Sequence, residues 1–383
     1  MNTETPVADT RCVMIVAGEA SGDLHGANLI RRTRERCDGV FFFGIGGAEM
    51  RNAGARILVE ASELSVVGIT EIFIRLPSIL KGMGAAKRAL SSGLPDLLIL
   101  IDFPDFNLRL AATARKHGVP VFYYITPQVW AWRKRRVYQI RQRVDHAAVI
   151  LPFEVDFFRQ YDVPVTFVGH PLLDAGYEVL PEPVADNEET VVGLLPGSRH
   201  GEILRHLPVM LDAAAAMAEK DPKIRFLVSS AACIDPAFVR SITDKYGERV
   251  ALEVVPGNVV NVFRQSALVI AVSGTVAVEA ALYTTPLIVI YRVSWISYWL
   301  ARILVKIDHI SLVNLVAEDR LVPELIQSDA TADKIAQTAL GLLGDENRLM
   351  AIKTGLRKVR ERLGGPGASD RAAEIAVGML TAS

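Results

Sequence analysis

The chain has 383 residues, with 42 Lys and Arg against 43 Asp and Glu, so its formal charge of −1 excludes a whole-chain electrostatic footprint for nucleic acid. Half of the residues are hydrophobic and 22% are charged, which excludes a disordered or collagen-like chain, and the length favours two domains over one undivided core. Mean hydropathy is +0.27, yet no run of about 18 uncharged apolar residues occurs, so contact with a bilayer without crossing it fits both facts.

The polar first eleven residues and the short apolar run 13–17 provide no signal-peptide core, so a cytoplasmic protein is expected. Cys12, Cys37 and Cys233 form no CxxC pair, and His200 and His206 lack the HExxH spacing, so neither a disulfide framework, a metal site nor a cofactor is expected.

Residues 13–17 read as a buried strand that ends in a turn at Gly18, and 24–36 then carries helical apolar spacing. Further strands are predicted at 41–43, 97–101, 121–124, 147–151 and 166–168. Their continuous apolar character indicates a parallel sheet covered on both faces. From 171 to 190 the composition shifts to prolines and acids, which marks a domain boundary. The strand, turn and helix pattern then recurs: strand 191–195, turn Pro196-Gly197-Ser198-Arg199, and helix 202–219, which Pro208 is expected to kink or divide. Strands at 225–229, 251–255, 268–271 and 287–291 follow, with helices from 332 onward that Gly364-Gly365-Pro366-Gly367 interrupts. The expected organisation is an α/β protein with Rossmann-like domains at 1–175 and 190–345, and C-terminal helices at 346–383 that could pack back on the first domain.

Gly18, Glu19, Ser21, Gly22 and Asp23 sit where a strand meets a helix amino terminus, a place that suits either a polar ligand or a plain tight turn. The glycines do not form GxGxxG, and Gly44-Ile45-Gly46-Gly47 also fails because Glu49 takes the third glycine position, which weakens a nicotinamide reading. Asp102 ends the run 97–101, so it belongs at the carboxyl edge of a parallel strand, where ligand crevices lie. Beside Phe103 and Phe106, desolvation would raise the basicity of its carboxylate, as suits a general base. Asp105 reads as a turn cap.

Ser198 and Arg199 offer a second anion turn, the guanidinium being able to hold phosphate oxygens in a fork. Ser273, Gly274 and Thr275 precede an apolar helix in which Glu279 stands alone, a costly burial unless it serves a ligand hydroxyl. Residues 293–307 place Ile296, Leu300, Ile303 and Ile307 at helical spacing, with Trp295, Trp299, Arg302 and Lys306 along an adjoining face. That composition fits an interfacial membrane helix and equally a buried helix with aromatic rims. A second apolar stretch, 64–80, accompanies it.

The motifs GEASGD (18–23), IDFPDFN (101–107), TPQVWAWR (126–133), VGHP (168–171), LLPGSR (194–199), SGTVAVE (273–279) and SLVN (311–314) together resemble the lipid A disaccharide synthases, and the match runs nearly the whole chain in order. The resemblance implies inverting glycosyltransferases of GT-B architecture, with two Rossmann-like domains facing a central cleft. It implies transfer of 2,3-diacylglucosamine from UDP to the 6-hydroxyl of 2,3-diacylglucosamine 1-phosphate (lipid X), giving a β-1,6-linked disaccharide 1-phosphate and UDP. It makes Asp102 the essential acid, and it assigns Arg199 to the diphosphate, Glu279 to the ribose and Asn314 to the nucleotide. The family often has Ser-Leu-Pro-Asn where Val313 stands here, and often Ala in place of Phe103.

The expected partners are therefore UDP-2,3-diacylglucosamine, lipid X and the inner-membrane surface, with no nucleic acid and with a homodimer as a permitted assembly. Three rival readings are another UDP-GlcNAc-type transferase, a UDP-GlcNAc 2-epimerase, and a non-catalytic peripheral lipid-binding protein.

Overall fold

Continuous apolar runs become the central strands of two parallel sheets. The computed structural model describes residues 10–64, 69–131, 133–175, 189–293 and 309–382, without the side chains of 69–75 and 175. Trp295, Trp299, Arg302 and Lys306 lie outside the described residues. The chain divides into two units, Met1–Ala175 with Gly364–Ser383, and Gly176–Leu363.

The first unit holds seven parallel strands: β1 (Arg11–Ala17), β2 (Val40–Gly46), β3 (Arg56–Glu60), β4 (Leu97–Ile101), β5 (Val121–Tyr124), β6 (His146–Val149) and β7 (Val165–Phe167). Their order is β3-β2-β1-β4-β5-β6-β7, with β1 and β4 in register from Val13 opposite Leu97 to Ala17 opposite Ile101. Every residue of β4 is buried, as expected for a strand covered on both faces. Met14, Val16, Leu98 and Leu100 enter one core layer, while Val13, Ile15, Leu97 and Ile99 enter the other. β3 has no counterpart among the predicted strands because its sequence, RILVE, is only half buried at the sheet edge.

The last helix, Ala368–Thr381, lays Ala372, Ala373 and Ala376 on the second of those layers. The Asp174 carboxylate fastens its start by accepting from the backbone amides of Gly367 (2.7 Å), Ala368 (2.9 Å) and Ser369 (2.9 Å). The helix Glu346–Arg362, by contrast, stays in the second unit. The expected C-terminal group 346–383 is thus split at the glycine-rich break, where Gly364 and Gly367 have φ of 89° and 95°.

The second unit holds β8 (Thr190–Leu195), β9 (Ile224–Ser230), β10 (Leu252–Pro256), β11 (Leu268–Val272), β12 (Leu287–Tyr291) and β13 (Glu324–Ile326), all parallel and ordered β10-β9-β8-β11-β12-β13. Helix His200–Lys220 runs through Pro208 as one element rather than two. In each sheet the strand order reverses once, beside β1 and β4 in the first and beside β8 and β11 in the second. Open α/β sheets bind ligands outside the carboxyl ends of the strands at that reversal. The sequence reading of two Rossmann-like α/β domains holds.

Candidate active site

Asp102 and Phe103 form the turn that leaves β4, and both have left-handed backbone, φ 42° and 48°. Non-glycine residues held there cost about 1–3 kcal/mol each and persist only where surroundings impose them. The next element, helix Pro104–Lys116, starts with proline in its first turn, which suits its fixed φ. Gly18, at the end of β1, lies directly against this turn: a Cβ there would come within 2.4 Å of the Phe103 ring, so only glycine fits.

Asp102 is exposed at this turn. Burial against the surrounding turns pushes its carboxyl up to about 6, the Glu19 carboxylate adds to the rise, and a hydrogen bond from the Phe103 backbone opposes it. At neutral pH the group is therefore ionised and more basic than an ordinary carboxylate. Glu19 itself is extended and gives no side-chain cap to helix Ala20–Arg34. Glu19 and Ser21 are exposed beside that helix start, while Gly22 is buried against Ala17 and Ile101.

Asp23 departs from the expected ligand role. It is 6% exposed, and its carboxylate accepts from the backbone amides of Gly47 (2.6 Å), Glu49 (2.9 Å) and Met50 (3.2 Å). Its lone pairs thus cap the short helix Ala48–Asn52, which leaves it inside the fold rather than facing a substrate.

The loop after β5 is held against the same edge. Asp105 is exposed and pairs with Arg136 and, at 3.6 Å, with Arg133. Trp130 donates through Nε1 to the buried Glu154 at 3.0 Å, and the Leu151 amide donates to the other oxygen at 3.1 Å. Burial pushes Glu154 up to about 7 despite those bonds. Sequence reasoning did not single out Glu154, because its partner lies 24 residues away.

In the second unit, the turn after β8 exposes Ser198 and Arg199. The Ser198 amide donates to Glu202 at 3.1 Å, and the Arg199 guanidinium meets the other Glu202 oxygen at 3.1 Å. A carboxylate thus sits on two donors that also suit a phosphate oxygen. Gly197 has φ 112°, and a Cβ there would lie 2.6 Å from Glu202 Oε2, so this turn also requires glycine.

The turn after β11 brings Ser273, Gly274 and Thr275 to the amino end of helix Thr275–Leu282, which has no side-chain cap. Its first amides are oriented toward the carboxyl edge of the sheet, as in an anion-binding turn. Glu279, one turn in, is half-buried, and burial pushes it up to about 7. Ser273 Oγ donates to the Ile310 carbonyl at 3.3 Å, which ties this turn to residues 310–314.

Asn314 stands at that second turn, but inside it. Its side chain is fully buried, donates to Val322 O (2.9 Å) and Glu324 (2.8 Å), and accepts from Val322 N (2.9 Å). Its amide shapes the turn instead of lying at its surface. Glu324, unmarked by any motif, gathers Ile310 N (3.0 Å), Ser311 N (2.9 Å) and the Asn314 amide. Val313 replaces the frequent proline without disrupting the turn, and its amide is used, donating to the Ser311 hydroxyl that caps the helix at 3.2 Å. Among the described residues no group of three His, Cys, Asp or Glu is placed to hold a metal ion.

Two Rossmann-like units with polar turns at their strand reversals place the chain in the fold class of two-domain glycosyltransferases and nucleotide-sugar epimerases. The glycotransferase of kitacinnamycin superposes with a TM-score of 0.63 at 16% identity, covering 97% of this chain and 99% of that one. UDP-GlcNAc 2-epimerase from Neisseria meningitidis, bound to UDP-GlcNAc, gives 0.62 at 12% identity, covering 97% and 100%. Such identities establish likeness of fold alone. The sequence profile of lipid-A-disaccharide synthetase matches residues 13–377, and this chain belongs to that family. Lipid-A-disaccharide synthase of Syntrophus aciditrophicus is 45% identical over 98% of this chain and 99% of its own length, and that of Geobacter sulfurreducens is 45% identical over 96% and 97%. The resemblance read from the motifs thus holds, and the enzyme is a glycosyltransferase of lipid A biosynthesis rather than an epimerase.

Proposed function

We propose that this enzyme moves 2,3-diacylglucosamine from UDP-2,3-diacylglucosamine to the 6-hydroxyl of lipid X, with inversion at the anomeric carbon. Asp102 takes the proton from the 6-hydroxyl as its oxygen attacks the anomeric carbon. The bond from that carbon to the diphosphate breaks on the opposite face, and its electron pair leaves with UDP. The α-linked donor becomes a β-1,6 linkage. The first unit supplies the base and the acceptor side, through Gly18, Glu19 and Ser21. The second supplies the donor side. Arg199, the Ser198 amide and the amides that follow Ser273 and Gly274 meet the charge that develops on the diphosphate, and Thr275 offers a hydroxyl beside them. Glu279, whose carboxyl burial pushes up to about 7, serves the ribose hydroxyls as an acceptor. The step calls on no metal and no cofactor.

The observation that carries this reading is the Asp102 carboxyl, presented at the carboxyl end of β4 and pushed up to about 6. Its test is incubation of the purified enzyme with UDP-2,3-diacylglucosamine and lipid X, with mass detection of the products. The expected result is the disaccharide 1-phosphate and UDP, with no UDP released when lipid X is omitted. Conversion of UDP-GlcNAc without an acceptor, and no disaccharide, would contradict it.

The same reading puts the enzyme on the cytoplasmic surface of the inner membrane, where both lipid substrates lie. No helix of the described residues is long and apolar enough to cross a membrane. Support comes from Leu76 and Leu80, one turn apart and 45% and 59% exposed, and from the composition of 293–307 with Trp295, Trp299, Arg302 and Lys306.

A further inference from the structure

Two buried side chains grip the backbone of the Asp102 turn. The Asp102 carbonyl accepts from Asn107 Nδ2 at 2.7 Å and from the Tyr123 hydroxyl at 2.6 Å. The second N–H of Asn107 donates to the Ile101 carbonyl at 3.1 Å, so one amide spans two consecutive carbonyls. Asn107 and Tyr123 are both fully buried. Asn107 Oδ1 has no hydrogen-bond partner among the described residues, so the side chain acts here through its two N–H donors. On the other side, the Asp102 amide donates to Ile125 O at 3.1 Å.

The backbone angles of Asp102 set the direction of its carbonyl and of its Cβ together. Fixing the carbonyl therefore fixes where the carboxylate emerges, and it does so at a residue whose left-handed φ of 42° would otherwise relax. We propose that Asn107 and Tyr123 are positioning residues of the transfer reaction, clamping the Asp102 carbonyl so that the carboxylate stays aimed at the acceptor hydroxyl. The proposal rests on Asp102 being the base. A clamp that only stabilised the fold would affect melting and leave the chemistry alone.

The test is steady-state kinetics of the full chain with both lipid substrates across pH, for Asn107→Ala, Tyr123→Phe, Asp102→Asn and the double variant of Asn107→Ala in Asp102→Asn. Asn107→Ala is expected to lose about 10²-fold in kcat with the donor KM unchanged, since small misplacements of a reacting group cost that much. Its acid limb, expected near pH 6 in the parent, should move to lower pH as the carboxylate swings into water. Tyr123→Phe keeps the ring in the core and should show a smaller loss of the same kind. It decides the matter with the same readouts if Asn107→Ala does not fold. In the Asp102→Asn background Asn107→Ala should add no further loss. Full kcat and an unmoved acid limb in a folded clamp variant, or a fully additive loss in the double variant, would overturn the proposal alone. Near-normal turnover of Asp102→Asn would instead remove the base assignment, and the clamp with it.

Discussion

The Asp102 carboxyl is tuned by a neighbour that can be changed by itself. Among the described residues Glu19 is the charged group that raises it, so Glu19→Gln should ease ionisation and shift the acid limb of kcat/KM below its expected position near pH 6. A pH–rate profile checks this, and a limb that stays or rises would contradict it. Arg199→Ala should raise the donor KM by about 10- to 100-fold, the worth of one charge-assisted hydrogen bond, while leaving thermal unfolding almost unchanged because the side chain is about half exposed. Asp102 could be read from the sequence because its position follows from strand polarity alone. Asp23 and Asn314 were motif residues too, but their partners lie 24 to 27 and 8 to 10 residues along the chain. Spacing reveals that a polar side chain is placed at a ligand edge. It does not reveal whether a distant amide has already claimed its lone pairs.

At the scale of elements, buried runs such as 97–101 and 268–271 were legible because a strand covered on both faces shows no alternation. β3 and β13 were not, being an edge strand with charged ends and a three-residue strand. Helix His200–Lys220 accommodates Pro208 in a segment whose Leu207, Val209, Met210 and Leu211 are buried, so packing outweighs the lost backbone bond. The last helix depends on a cap from outside itself. Asp174→Ala removes three acceptor contacts from its first turn and should destabilise the first unit by about 2 kcal/mol in urea unfolding. An unchanged midpoint would show that the helix is held by its alanine face alone.

At the scale of the whole molecule, the Pro- and acid-rich segment after 171 signalled two units. Packing back on the first domain was an expectation for all of 346–383, but that only 364–383 joins the first unit could not be read from the sequence, because it depends on the fit of Ala372, Ala373 and Ala376 to a distant sheet face. Membrane contact belongs to this scale as well. Replacing both Trp295 and Trp299 by Glu should weaken sedimentation with anionic liposomes, and unchanged sedimentation would return 293–307 to the reading of a buried helix. The proposed division of labour between a base on one unit and a nucleotide turn on the other is tested most directly by the turnover of Asp102→Asn on UDP-2,3-diacylglucosamine and lipid X. The account predicts a folded protein with its donor KM retained and its kcat lower by about two to four decades. A folded variant that releases UDP at close to the parent rate would contradict it.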